Sequence, residues 1–157
     1  MTAAPASFPG ATGFKFIVAV VSGLFLFSLF SELLESTIVR ATAPGPLNDM
    51  ASYFAVRNRP AVLGAKAVFN VLLAVLAGYT TAKVAGERET RFAGIAAALQ
   101  TTAFAYGFTV GEFASQTPLW MRIFLVVTTG PAMIAGAWVR MQARLAGDAT
   151  PSGPVES

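Results

Sequence analysis

Residues 16–30 read FIVAVVSGLFLFSLF, and the apolar stretch continues through Leu33, Leu34 and Ile38 to Arg40. With its flanks it covers about 20–25 residues, the length a helix needs to cross a hydrocarbon core of about 30 Å. A main chain in hydrocarbon has no water to bond its amides, so a lone segment of this kind must satisfy them internally as an α-helix. Three later segments have the same make-up, at about residues 60–85, 92–113 and 118–141. The first helix is expected over about 15–39. Only 12% of the chain is charged against 55% hydrophobic, far below the charge of about 25% in a soluble domain. The turns after the second and third segments are short, which makes consecutive helices antiparallel neighbours. The expected fold is therefore all-α: an integral membrane protein with four transmembrane helices in an antiparallel bundle, over residues 14–145.

The punctuation fits that division. Residues 1–13 and 146–157 mix Ala, Pro, Gly and Ser without apolar periodicity and read as mobile tails. Pro44 and Pro46 end the first helix, while Pro60 and Pro118 stand where a helix start tolerates proline. Between them Leu47, Met50, Ala51 and Phe54 recur at helical spacing, so residues 47–57 suit either a short interfacial helix or an irregular connector. A cleaved signal peptide is the competing reading of the first run. Its apolar core is too long for one and the following SELLES lacks an A-x-A cleavage site, so the helix is expected to stay.

The absence of Cys and His from the sequence removes His-ligated haem, Cys-based zinc, disulfides and Ser-His triads. Neither a cofactor nor a metal is expected. A net charge of +3 with basic residues beside helix ends reads as membrane orientation and not as a nucleic-acid surface. The side with both termini carries Lys15, Lys83, Arg88, Arg91, Arg140 and Arg144, against Arg40, Arg57, Arg59, Lys66 and Arg122 on the other. Lys66 and Arg122 lie within their spans, and the remaining excess puts both termini in the cytoplasm. Trp120 and Trp138 fall at opposite ends of the fourth span, where aromatic belts form. The alanine-rich, cysteine-free chain has a bacterial cast, and a bacterial inner membrane is the expected location.

Small residues recur every four positions on two helices: Ala74, Gly78, Ala82 and Gly86, then Ala103, Gly107, Gly111 and Ser115. Such ridges let helix backbones approach closely in lipid. In the fourth span Pro131 follows Thr128, Thr129 and Gly130, which predicts a kink with threonine hydroxyls bonding freed carbonyls. A faint echo links the second and fourth spans. Each has a proline, a basic residue (Lys66, Arg122), an Ala-Gly pair (Ala77-Gly78, Ala135-Gly136) and a terminal basic residue (Lys83, Arg140), as tandem parallel hairpins would.

The most informative residues are ionisable or polar groups within or at the edge of the spans: Glu32, Glu35, Lys66, Asn70, Glu112 and Arg122. Antiparallel alternation gathers all six toward one side of the membrane. Glu32 and Glu35 share a helix face, as do Lys66 and Asn70. The expected arrangement pairs the acids with Lys66 and Arg122, leaving one carboxylate to be protonated, hydrated or bound to an ion. Thr102, Tyr106 and Thr109 form a polar stripe on the third span leading toward Glu112.

Two functional readings remain. The preferred one is a small non-catalytic subunit or scaffold of a membrane complex, whose partners are the bilayer and other membrane subunits or further copies of itself. The alternative is a proton- or cation-coupled transporter using Glu32, Glu35 and Glu112. An enzyme would be limited to carboxylate chemistry or to Ser28 or Ser31 with Lys66, a spacing without specificity.

Overall fold

The computed structural model describes residues 9–86, 89–111 and 114–148, and the regular structure among them is helical throughout. Helix α1 runs Pro9–Thr42, α2 Met50–Arg57, α3 Pro60–Ala85, α4 Glu89–Val110 and α5 Leu119–Asp148, with a 3-10 turn Ala114–Gln116 before α5. Two ends lie further out than the apolar pattern alone marks. Helix α1 already includes residues 9–13, read from sequence as tail, and α5 continues past Met141 through residues with good helix propensity. Helix α4 starts at Glu89, where an acid suits the positive pole of a helix, and stops before Gly111.

Local chemistry sets the other boundaries. Asp49 caps α2 by accepting a 2.7 Å bond from the Ser52 amide, and the Ser52 hydroxyl receives the Asp49 amide in return. This reciprocal box starts the helix at Met50 and not at Leu47. Pro60 occupies the first turn of α3, where its missing N–H costs nothing. Gly86 closes α3 with φ of 69°, a conformation that would strain a side chain.

Three helices are long and apolar enough to cross a membrane, over Gly13–Thr42, Pro60–Ala85 and Leu119–Gly147. Helix α4 is not among them. At about 33 Å it has the length, but Gln100, Thr101, Thr102, Tyr106 and Thr109 dilute its apolar content.

Touching pairs give the helix directions. Glu35 meets Lys66, Ser31 meets Asn70, and Gly23 lies against Ala77 and Thr81, so α1 and α3 run oppositely. Along α3 and α5 the pairs ascend together, with Leu63 clustering with Met121 and Ala82 with Ala137. Those two helices are parallel. Helix α4 runs against α5, with Phe108 beside Arg122 at one end and Glu89 3.2 Å from Arg144 at the other.

Helix contact in the middle is close because the residues there are small. Ala74, Ala77, Ala96 and Ala97 sit with Val20, Phe27, Leu73, Ala132 and Met133 in the main cluster. At the α3–α5 crossing a Cβ on Gly78 would strike the Met133 carbonyl, and one on Gly136 would strike the Val75 carbonyl. Neither obstacle is a side chain that could swing away. Of the first small-residue ridge, Ala74, Gly78 and Ala82 are thus buried between helices, while Gly86 is the exposed cap. Pro131 lies within α5, which remains one helix from end to end. The Thr128 and Thr129 hydroxyls bond the Phe124 and Leu125 carbonyls, not the Val127 carbonyl that the proline deprives of its donor.

The outer faces of α3 and α5 are apolar. Val68, Leu72 and Leu76 form an exposed stripe on α3, and Leu119, Ile123 and Val127 do so on α5. Trp120 and Trp138, both more than half exposed, are about 27 Å apart along α5. Contiguous apolar faces on this scale are solvated by lipid and not by water.

Candidate functional site

Glu35 is the centre of the only buried ion-pair cluster that lies inside the apolar spans among the described residues. It projects from late α1 and is 8% exposed. From α2, Arg57 Nε donates to its Oε1 at 2.5 Å, and the Tyr53 hydroxyl donates to the same oxygen at 3.4 Å. From α3, Lys66 Nζ donates to Oε2. Arg57 also donates through Nη1 to Thr117 Oγ1 at 2.9 Å, which ties α2 to the start of α5. One carboxylate therefore joins α1, α2 and α3 while serving two cations.

The sequence makes this possible through spacing. Tyr53 and Arg57 are one turn apart on α2, so both reach the same carboxylate. Lys66 and Asn70 are one turn apart on α3: the Asn70 amide donates to the Lys66 carbonyl at 2.9 Å, and Asn70 Oδ1 accepts from the Ser31 hydroxyl at 3.1 Å. The buried face of α2 is consequently Phe54, Val56 and Arg57, whereas Met50 and Ala51 of the expected apolar face are exposed. The guanidinium also lies over the Phe54 ring, 5.2 Å from its centroid. Burial pushes the Tyr53 phenol above its ordinary value, and the negative charge of Glu32 adds to that shift. Burial lowers the Arg57 guanidinium from its usual range; a guanidinium nevertheless remains charged.

Beside the cluster is a cavity of about 690 Å³. Helix α1 forms one wall with Phe27, Ser28, Ser31 and Glu32, and α4 forms the other with Gln100, Phe104, Gly107 and Phe108. The two helices touch at Phe16–Phe92 and Phe27–Phe104, with ring centroids 5.3 and 5.7 Å apart. Past the second pair they stand apart. Tyr53, Phe54 and Arg57 of α2 cover the end of the space, and Lys66, Asn70 and Leu125 line its inner side.

Of the six polar residues singled out from sequence, Glu35, Lys66 and Asn70 come together, and Glu32 lines the same cavity as an exposed carboxylate. Arg122 does not join them; its Nη1 lies 3.5 Å from the Phe108 carbonyl. Glu112 lies outside the described residues. Arg57, Tyr53 and Thr117 were not anticipated, because a cation in a connector reads as a surface charge unless its helix is known to fold inward. Gly107 and Gly111 of the second ridge line the cavity, and Ala103 and Ser115 are exposed. The Thr102, Tyr106 and Thr109 stripe also faces outward. Lys66 is engaged with Glu35, and the Ser31 hydroxyl with Asn70.

Among the described residues no group of three or more Asp or Glu side chains is placed to hold a metal ion. Fold and site together define a helical membrane protein with a buried ion-pair cluster beside a lateral cavity. Compared with known protein families, curated proteins and solved structures, the chain finds no match.

Proposed function

We propose that this chain is a four-span, non-catalytic subunit or scaffold of a membrane complex, with both termini on the cytoplasmic side of a bacterial inner membrane. The topology supports the fourth crossing. Helices α3 and α5 run in the same direction, so a chain that crosses along both must return between them, and α4 is the segment that connects them. Its inner face packs on α3 and α5, where Ala93, Ala96, Ala97 and the polar Gln100 are buried.

The observation that carries the subunit reading is the outer face of α4. Thr102, Tyr106 and Thr109 are exposed there, with Tyr106 67% exposed. A lipid-facing helix gains nothing from that polar stripe, whereas interfaces between membrane helices are rich in small and hydroxyl-bearing residues. A helix of another subunit, or of a second copy, covers this stripe in the assembled state. The test is the mass of the protein extracted in mild detergent, wild type against Thr102→Leu/Tyr106→Leu. Wild type migrates well above its 16.4 kDa chain and the variant falls to the monomer; a monomeric wild type contradicts the reading.

The coupled-transport reading draws on Glu32, an exposed carboxylate in the cavity wall. It loses Glu35, because a carboxylate bonded to both a guanidinium and an ammonium is a poor site for a further proton or cation.

A further inference from the structure

We propose that the cavity between α1 and α4 is a lateral binding site for one anionic phospholipid, which enters from the bilayer and sets its phosphate toward Arg57 and Lys66. The proposal rests on the membrane reading above.

Three observations carry it. First, the space is open sideways: Ser28 and Glu32 on α1, Gly107 on α4 and Gly111 just after it all line it and are exposed. An occupant therefore arrives through lipid between two helices and needs no aqueous channel. Secondly, its walls grade from apolar to charged. Phe27 and Phe104 meet at the deep end beside Gln100, and Phe108 lies nearer the end of α4, while Arg40, Arg57 and Lys66 lie toward α2. That order matches an acyl chain lying deep with its headgroup at the interface. Thirdly, the charge is unequal. Among the described residues three bases and two acids line the cavity, and both oxygens of the buried acid, Glu35, are already engaged. A guanidinium has five N–H donors and an ammonium three, so Arg57 and Lys66 retain donors beyond those given to Glu35 and Thr117. A phosphate oxygen accepts such bonds well.

The small residues of α4 gain a purpose from this. A Cβ on Gly107 would meet no atom within 4 Å, so the glycine is not needed for helix contact. It keeps the wall of the cavity flat.

The test uses the full chain in detergent, exchanged into nanodiscs of dioleoylphosphatidylcholine doped with dioleoylphosphatidylglycerol, with retained lipid counted by native mass spectrometry. Wild type is expected to hold one phosphatidylglycerol, several-fold in preference to phosphatidylcholine. Gly107→Leu, at a position where a Cβ meets nothing within 4 Å, projects a side chain into the cavity from the α4 wall and should lose that lipid, while Gly64→Leu, at another open position away from the cavity, should keep it. Inorganic phosphate at millimolar concentration should not displace the lipid, because it lacks the chain; displacement would mean that the site takes free phosphate and would overturn the proposal. Equal retention by wild type and Gly107→Leu would overturn it too. The protein is first shown to need detergent for solubility, so lost lipid binding counts against the cavity and leaves the membrane reading standing.

Discussion

Gly78 and Gly136 occupy reciprocal positions at the crossing of α3 and α5. Each lies against the carbonyl of the residue three before the other, Met133 for Gly78 and Val75 for Gly136. The Ala-Gly pairs that gave the two spans their faint sequence echo thus meet at the same crossing. In lipid, helices associate through this kind of backbone approach, since hydrocarbon offers them no hydrophobic gain.

Replacing Gly78 or Gly136 with Ala should therefore separate α3 from α5. The expected loss is about 1–3 kcal/mol, as for overpacking a tight interior. Gly94→Ala, where a Cβ meets open space in a helix, should be neutral or stabilising by up to about 1 kcal/mol. Thermal unfolding in detergent, followed by circular dichroism, separates the two outcomes; equal midpoints for Gly78→Ala and Gly94→Ala would show that the crossing is looser than described.

Glu35 holds two buried cations, so Glu35→Gln should cost more than a surface charge change. Breaking a buried ion pair by removing one partner costs about 3–5 kcal/mol. Adding Lys66→Met to Glu35→Gln should recover part of that loss, because one stranded charge goes with it. The measurement is a double-mutant cycle on unfolding midpoints. Additive single effects would mean that the pair is not coupled.

Helix α2 depends on Asp49, whose carboxyl is held below its ordinary value of 3.8 chiefly by the bond from the Ser52 amide, with the Ser52 hydroxyl adding. A carboxyl lowered by folding stabilises the folded form above its unfolded value and loses that contribution as pH falls through the folded one. Acidification from pH 5 to below about 3.8 should accordingly loosen α2. Hydrogen exchange over residues 50–57, corrected for intrinsic rates, should rise across that interval in wild type. It should rise far less in Asp49→Asn, which keeps the acceptor without the titration. Matching profiles would place the acid sensitivity elsewhere.

How legible all this was in the sequence depends on what kind of signal each part leaves. The long helices are written in run length and proline placement, and α3 occupies the expected 60–85. The Lys66–Asn70 turn was visible as spacing, and so was its placement at the same end as Glu35. The pairing of the acids with Lys66 was legible too, but the second cation on Glu35, Arg57, was not. Arg57 lies in a connector whose apolar periodicity favoured Met50 and Ala51 as the buried face, and periodicity registers apolar residues only. A guanidinium brought inward by a carboxylate on another helix leaves no local trace. The small residues of α4 illustrate the same limit. A run of Ala and Gly at four-residue spacing looks alike whether it is pressed against a helix, as at Gly78, or lines a cavity, as at Gly107.

The central claim is that the chain crosses the bilayer four times, with α4 as the crossing its composition least advertises. Because the sequence contains no cysteine, a single introduced thiol reports its own side of the membrane. Lys83→Cys and Ser115→Cys, both at exposed positions flanking α4, should be labelled in intact cells by a membrane-impermeant maleimide from opposite sides, Ser115→Cys from outside and Lys83→Cys only after lysis. Labelling of both thiols from the same side would contradict the account.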